Sequence, residues 1–193
     1  MPFLSPEALE RMGFEELGAE VFVSEQASIH GASRIRLGSH VRIDDFCVLS
    51  AGSGGIEIGS YVHIAAYSSI IGAGRVSVGD FANISSRVAI YSSSDDYSGV
   101  SMTNPMVPDA YKSVDHRPVT IGRHVIVGSG SVVLPGVHLA EGVAIGALSL
   151  VRDSCEPFTI HAGVPASPRG ERSRLLREAE KQFRATWEHG EHS

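Results

Sequence analysis

The stretch Ile121-Gly122-Arg123-His124-Val125-Ile126-Val127-Gly128-Ser129-Gly130-Ser131-Val132-Val133-Leu134-Pro135-Gly136-Val137-His138-Leu139 decides how this chain folds. Its aliphatic residues Ile121, Val127, Val133 and Leu139 stand six apart. A strand alternates with period two and a helix repeats at about 3.6, so a sustained six requires short strands joined by like corners. The phase continues to Ile145 and Val151, and it is present upstream at Leu37, Ile43 and Leu49, at Ile58, Ile64 and Ile70, and at Val78, Ile84 and Ile90. Four residues after each aliphatic comes a second small or β-branched residue: Val41, Cys47, Val62, Ser68, Ala82, Val88, Val125, Ser131, Val137, Val143 and Ser149.

Three such strands make one coil. The step lengthens between Leu49 and Ile58 and again between Ile70 and Val78, which places one longer corner in each coil. The first aliphatic is predicted to point into a prism, with the second small residue beside it. The glycine that often follows, as in Leu37-Gly38, Ile58-Gly59 and Ile145-Gly146, is expected to supply the backbone angles of the corner. Each coil alone leaves its backbone groups unpaired, so the array is stable only as a stack. Antiparallel hairpins would not hold a six-residue phase over so many units.

Composition agrees with a narrow core. The chain has 193 residues, 42% hydrophobic but only 7% aromatic, with 21 glycines. Its net charge of -6 and the lack of aromatic-interleaved basic patches argue against nucleic acid. No uncharged apolar run reaches the roughly 20 residues needed to span a bilayer. Met1-Pro2-Phe3-Leu4-Ser5 lacks the features of a signal peptide, so a cytoplasmic protein with reduced Cys47 and Cys155 is expected.

The division expected is a short helix and lead-in over 1–22, with Ser5 as cap and Pro6 in the first turn, then repeats over 23–153, then a turn, helix and tail over 154–193. Val23 and Ile29 open the first partial coil. Leu175, Leu176, Ala179 and Phe183 form one face of the last helix, and His189 and His192 fall in a tail expected to be disordered. One long insertion, 91–118, interrupts the repeats. It carries Asp95, Asp96, Tyr97, Tyr111, Lys112, Asp115, His116 and Arg117, a mixture suited to holding a polar sugar.

The repeat, the single insertion and the ending His161-Ala162-Gly163-Val164-Pro165-Ala166 resemble the hexapeptide-repeat acyltransferases. The resemblance covers nearly the whole chain. It implies an all-β, left-handed parallel β-helix, an exception to the usual right-handed crossover. It also implies a homotrimer, with acetyl-CoA in the groove between neighbouring prisms and the insertion walling the acceptor site of an adjacent copy. Within the family, Tyr91 to Gly99 and Met102-Thr103-Asn104-Pro105 are similar to bacterial enzymes of surface-polysaccharide (O-antigen) pathways that act on dTDP-4-amino-4,6-dideoxyglucose.

Acyl transfer from a thioester needs a nucleophile that loses its proton, donors for the oxyanion and a grip on CoA. Galactoside-type members carry a histidine soon after the strand that enters the insertion, where this chain has Asp95 and Asp96. Three candidate bases remain, His63, His116 and the Asp95/Asp96 pair, and the ordinary imidazole pKa of about 6.5 favours the two histidines. The acidic pair in the histidine's place favours an amine acceptor over a hydroxyl, with Asp95, Asp96, Tyr97, Tyr111, Lys112 and Arg117 as candidate substrate ligands.

By resemblance, Gly130, Ser131, Ala147 and Ser149 line the pantetheine channel, with a backbone amide near Ser131 polarising the thioester. Arg169, Arg172 and Arg174 offer cations to the CoA phosphates, or else pair with Glu171 and Glu178. His30, His40, His124, His138 and His161 read as exposed corner residues. No metal is expected. Competing readings are a galactoside-type O-acetyltransferase, a carbonic anhydrase of the same fold with metal on histidines such as His63, His116 and His124, and a non-catalytic trimeric scaffold.

Overall fold

A computed structural model describes residues 2–188; His189 and His192 lie outside the described residues. After a helix, α1 (Pro6–Arg11), capped by the Ser5 hydroxyl, the chain winds into a prism of three parallel sheets. The first face stacks Glu16–Leu17, Ile35–Leu37, Ile56–Ile58, Val76–Val78, Val119–Ile121 and His138–Leu139. The second stacks Val21–Val23, Val41–Ile43, His63–Ile64, Asn83–Ile84, Ile126–Val127, Ala144–Ile145 and Thr159–Ala162, and Ser167–Glu171 closes it in the antiparallel sense. The third stacks Ser28–His30, Val48–Ala51, Ser69–Gly72, Ala89–Tyr91, Val132–Val133 and Leu150–Val151. The six-residue repeat predicts this three-stranded coil, and the fold is the left-handed β-helix that the family resemblance implies.

Register puts aliphatic on aliphatic. Leu37 pairs with Ile58, Val78 with Ile121 and Ile121 with Leu139 on the first face, while Leu49, Ile70, Ile90, Val133 and Val151 follow one another on the third. These side chains are fully buried, and so are all eleven of the second small residues from Val41 to Ser149. Where that second residue is serine, its hydroxyl takes a corner group: Ser68 donates to the Ser85 carbonyl at 2.9 Å, and Ser131 to that of Gly146 at 3.1 Å. The core is a column of methyl groups with its polar atoms at the corners.

The glycines do a different job from the one expected. Gly38, Gly59, Gly79 and Gly122 do not take up positive φ; a Cβ on Gly38 would lie 2.7 Å from the Gly59 carbonyl carbon, so coil contact excludes any side chain there. The positive-φ corner positions are held instead by His40, Tyr61, Phe81 and His124 at one corner and by Phe46, Tyr67, Arg87 and Leu148 at the next. Left-handed geometry costs about 1–2 kcal/mol at a non-glycine residue. Stacking returns about 1 kcal/mol per ring pair, and the rings do stack: His40 on Tyr61 at 4.5 Å, Tyr61 on Phe81 at 4.9 Å and Phe81 on His124 at 5.0 Å.

The last helix, α2 (Leu176–Phe183), lies against the first of these columns. Phe183 meets Tyr61 and Phe81 edge-on, and Leu176, Ala179, Glu180 and Phe183 line an open groove of about 420 Å³ with Tyr61, Phe81 and His124. Leu175, expected on this face, is instead exposed, because it precedes the helix.

Two histidines read as exposed are not. His124 packs under α2, its Nε2 2.7 Å from Glu180 Oε2. His161 takes the aliphatic position of the last coil, pairing in register with Ile145, and is buried with its Nε2 3.0 Å from the Thr159 hydroxyl. Burial holds both imidazoles below the ordinary histidine range, with Arg123 adding to the effect at His124.

Candidate active site

The insertion leaves the third face after Tyr91 and returns at Val119. Ser93–Ser94 pairs antiparallel with Asp115–His116 at its base, and Arg117 N donates to the Ser92 carbonyl. This fixes the loop at the corner between the third and first faces. Its neighbour there is Gly72, where a Cβ would lie 2.3 Å from Ser92 Oγ.

Within the loop, Asp96 is an organiser. Its carboxylate accepts from the amides of Ser98 and Ser101 at 2.8 Å and from the Ser101 hydroxyl at 2.9 Å, and these bonds hold its carboxyl far below the usual range. Asp95 is exposed, and its carboxylate makes no hydrogen bond or ion pair among the described residues. Lys112 pairs with Asp109 at 2.9 Å and Arg117 with Asp115 at 2.7 Å. His116 places Nδ1 2.7 Å from the Ser93 hydroxyl. Tyr111 is exposed, and Tyr97, Val100 and Met106 project almost entirely into solvent, 94%, 90% and 89% exposed.

His63 sits elsewhere, on the second face. Its Nε2 lies 2.9 Å from Asp44 Oδ2, and Asp44 Oδ1 accepts from Arg42 Nε at 2.7 Å. Burial of Asp44 raises its carboxyl pKa, but the bonds from Arg42 and His63 more than offset this and hold it below the ordinary range. With the Nε2 proton directed at Asp44, Nδ1 is the nitrogen left to accept a proton. The structure therefore does not bring His63 and His116 together within one chain. His124 is on a third location, the α2 corner. Among the described residues no group of three or more His, Cys, Asp or Glu is placed to hold a metal ion.

The residues read as the carrier channel occupy the corner between the second and third faces. Ser131 and Ser149 point their hydroxyls into the prism and are buried. The Ser131 amide donates to Gly128 O, so it is not free to polarise a carbonyl. The amides of Ser129 and Ala147 meet no acceptor among the described residues, a feature they share with the amides of Asp45, Ala66 and Ser86 at the same corner of the preceding coils. Gly130 and Leu148 lie beside them, with Gly130 N bonded to Ser86 O and Leu148 N to Ser129 O.

The three arginines divide. Arg172 Nη1 reaches the carbonyls of His124, Gly142 and Val143 and ties the closing strand to the prism. Arg169 reaches the Ala162 carbonyl at 3.2 Å, and Arg174 lies over the Phe158 ring at 4.7 Å, so none pairs with Glu171 or Glu178. Cys47 and Cys155 are buried, with thiols pushed up to about 11 by desolvation, and are not nucleophiles at neutral pH.

Sequence reasoning passed over the corner columns, Ser129 and the Asp44–His63 pair. The recurrence of bulky residues at Phe46 and Tyr67, one coil apart, was the available signal for the first of these.

No family model matches the chain. It is 54% identical over 184 residues to the dTDP-4-amino-4,6-dideoxy-D-glucose acyltransferase of Escherichia coli, covering 95% of this chain and 96% of that one. A 48-residue stretch, 25% of the chain and 24% of the relative, is 44% identical to the galactoside O-acetyltransferase of Escherichia coli K12. Among solved structures, a point mutant of AntD, an N-acyltransferase from Bacillus cereus, in complex with dTDP-4-amino-4,6-dideoxyglucose and coenzyme A, superposes with a TM-score of 0.91 at 42% identity, covering 94% of this chain and 96% of that one. AntD with dTDP and 3-hydroxybutyryl-CoA gives 0.90, again at 42% identity, over 94% and 95% of the two chains. With the coil register, the single insertion and relatives matched from end to end, the chain belongs to the hexapeptide-repeat acyltransferase family.

Proposed function

We propose that this protein transfers the acetyl group of acetyl-CoA to the amino group of a nucleotide-linked amino-deoxy sugar, dTDP-4-amino-4,6-dideoxyglucose, in polysaccharide biosynthesis. The observation that carries the amine over a hydroxyl is the start of the insertion: Asp95 stands exposed beside the loop-organising Asp96, and no histidine occupies this position. The names of the relatives agree with that choice.

The amine lone pair attacks the thioester carbonyl carbon, the carbonyl oxygen takes the charge, and the C–S bond breaks to release CoA. The amides of Ser129 and Ala147 are the donors for that oxygen. Losing one such donor costs about 100- to 1000-fold in rate. Asp95 holds the ammonium form before attack, and His63 or His116 takes the proton released as the amide forms. Tyr97, Tyr111, Lys112 and Arg117 bound the sugar. Arg169 and Arg174 meet the CoA phosphates, while Arg172 acts as a strut.

The insertion is anchored at one corner of the prism and the free amides lie at another, so a site containing both draws on two chains. This supports a homotrimer, with the exposed Tyr97, Val100 and Met106 reaching a neighbouring copy. No helix among the described residues is long and apolar enough to cross a membrane, and a cytoplasmic enzyme fits the buried free thiols.

Thiol release from acetyl-CoA tests the reading, with dTDP-linked 4-amino and 3-amino sugars set against their hydroxyl analogues. Turnover on the 4-amino sugar, lost when Asp95 and Asp96 are both changed to Asn, is expected. Turnover on hydroxyl acceptors alone would overturn it.

A further inference from the structure

Two apolar surfaces stay open to solvent among the described residues, and they stand at the same height along the prism. One is the groove between α2 and the corner column, lined by Tyr61, Phe81, Leu176, Ala179 and Phe183. The other is the outer part of the insertion, where Tyr97, Val100, Met102 and Met106 are exposed. The insertion joins the coil of Phe81, with strands Val76–Val78, Asn83–Ile84 and Ala89–Tyr91, to the coil of His124, with Val119–Ile121 and Ile126–Val127. The groove covers these same two coils and the preceding one, which carries Tyr61. Within one chain the first face separates the two surfaces, because the insertion is rooted between the third and first faces and α2 lies between the first and second.

Charge on the two surfaces is complementary. The insertion carries Asp95, Asp96, Asp109 and Asp115 against Lys112 and Arg117, and its outer segment 95–109 has acids only. The rim beside the groove has the opposite balance: Arg123, Arg177, Lys181 and Arg184 stand around Glu141 and Glu180, with Glu178 on Lys181. Residues 189–193, His-Gly-Glu-His-Ser, offer no aliphatic or aromatic side chain to the groove.

Resting on the homotrimer of the acyl-transfer reading, we infer that the outer insertion of one copy, residues 97–106, docks in the α2 groove of the next. Its apolar side chains lie against Phe81, Ala179 and Phe183, and its acids face the Arg123 and Arg184 rim. Parallel prisms around a common axis keep their coils level, so an insertion meets its neighbour at the level of the neighbour's groove. Loop and groove are different patches of one chain, and such a heterologous contact closes into a ring. The second face separates the groove from the corner of Ser129 and Ala147; from Tyr61 to Tyr67 it is six residues wide, about 20 Å at 3.3 Å per residue. A hairpin built from 91–118 has about 14 residues a side and reaches up to about 45 Å, enough to cross that face with Asp95 over it and the tip held at α2.

The test is oxidation of two double-cysteine chains, Val100→Cys with Ala179→Cys and Met106→Cys with Ala179→Cys, read by mass without reductant. Sedimentation of a chain carrying Val100→Asp and Met106→Asp, and turnover of dTDP-4-amino-4,6-dideoxyglucose by wild type, run alongside. At least one pair is expected to give linked species of two and three chains, with none from single-cysteine chains, since Cys47 and Cys155 are buried. The double aspartate chain is expected to keep its circular dichroism and to raise the dissociation constant of the assembly about tenfold, as loss of one buried apolar contact does. A disulfide that closes within one chain overturns the exchange between copies. No disulfide in either pair, or an assembly unmoved by the two aspartates, overturns the docking, and all of these results leave acyl transfer standing. Linked chains from a wild type that acylates no amino sugar would refute the acyl-transfer reading instead.

Discussion

The carboxylate of Asp44 shows how much one residue can couple. It is almost buried, and it is held ionised by Arg42 and His63 on the outward side of the second face. A carboxyl with a lowered folded pKa contributes stability above its unfolded pKa, about 3.9, and loses it as pH falls through the folded value. Wild type is therefore expected to be more stable than Asp44→Asn at pH 7, with the gap closing below about pH 4. Chemical denaturation across pH measures this, and a gap that persists unchanged in acid would show that Asp44 acts by shape alone. In the core, Ile84→Ala is expected to cost about 2–5 kcal/mol, because a fully buried side chain between Ile64 and Val127 leaves a cavity that stacked coils cannot collapse. Such positions were legible in the sequence, since period six marks them directly. His161 was not, because an imidazole at an aliphatic phase position looks like a corner residue until the closing strand covers it.

At the scale of elements, α2 is a clasp. Glu180 is largely buried and accepts from Arg123, Arg184 and His124, all of which converge on one carboxylate. Removing the shared partner leaves the largely buried His124 donor unsatisfied, at about 1–3 kcal/mol, while Arg123 and Arg184, each more than a third exposed, keep access to water. Glu180→Ala is expected to loosen the helix from the Tyr61 and Phe81 rings while the coils remain folded. Hydrogen exchange should show faster exchange in 176–183 and unchanged protection in 119–151. Uniform acceleration over both regions would mean that α2 supports the prism as a whole. The helix itself was legible from its apolar spacing. Its receiving surface was not, because that surface is built from single residues one coil apart which no local window contains.

For the whole molecule, the separation of the insertion from the free amides is the governing fact. If one site draws the loop from one chain and the amides from another, two differently damaged chains can complement each other. Co-expression of an Asp95→Asn, Asp96→Asn chain with an Ala147→Trp chain is expected to restore activity above the mean of the two separate mutants, since some interfaces then hold two intact halves. Activity equal to that mean would place the complete site within one chain. Light scattering should give three chain masses in the same preparation.

The coil, its phase, its interior and the position of its one insertion are written in the sequence, because a six-residue repeat is a local pattern whose only satisfactory pairing is with its own next copy. Which residues share a corner follows from the stacking of coils and from nothing local. Stacking converts steps of about twenty residues along the chain into steps of about 4.8 Å in space, and thereby placed Phe46, Tyr67, Arg87 and Gly130 in one column, separated His63 from His116, and buried His124 beneath a helix.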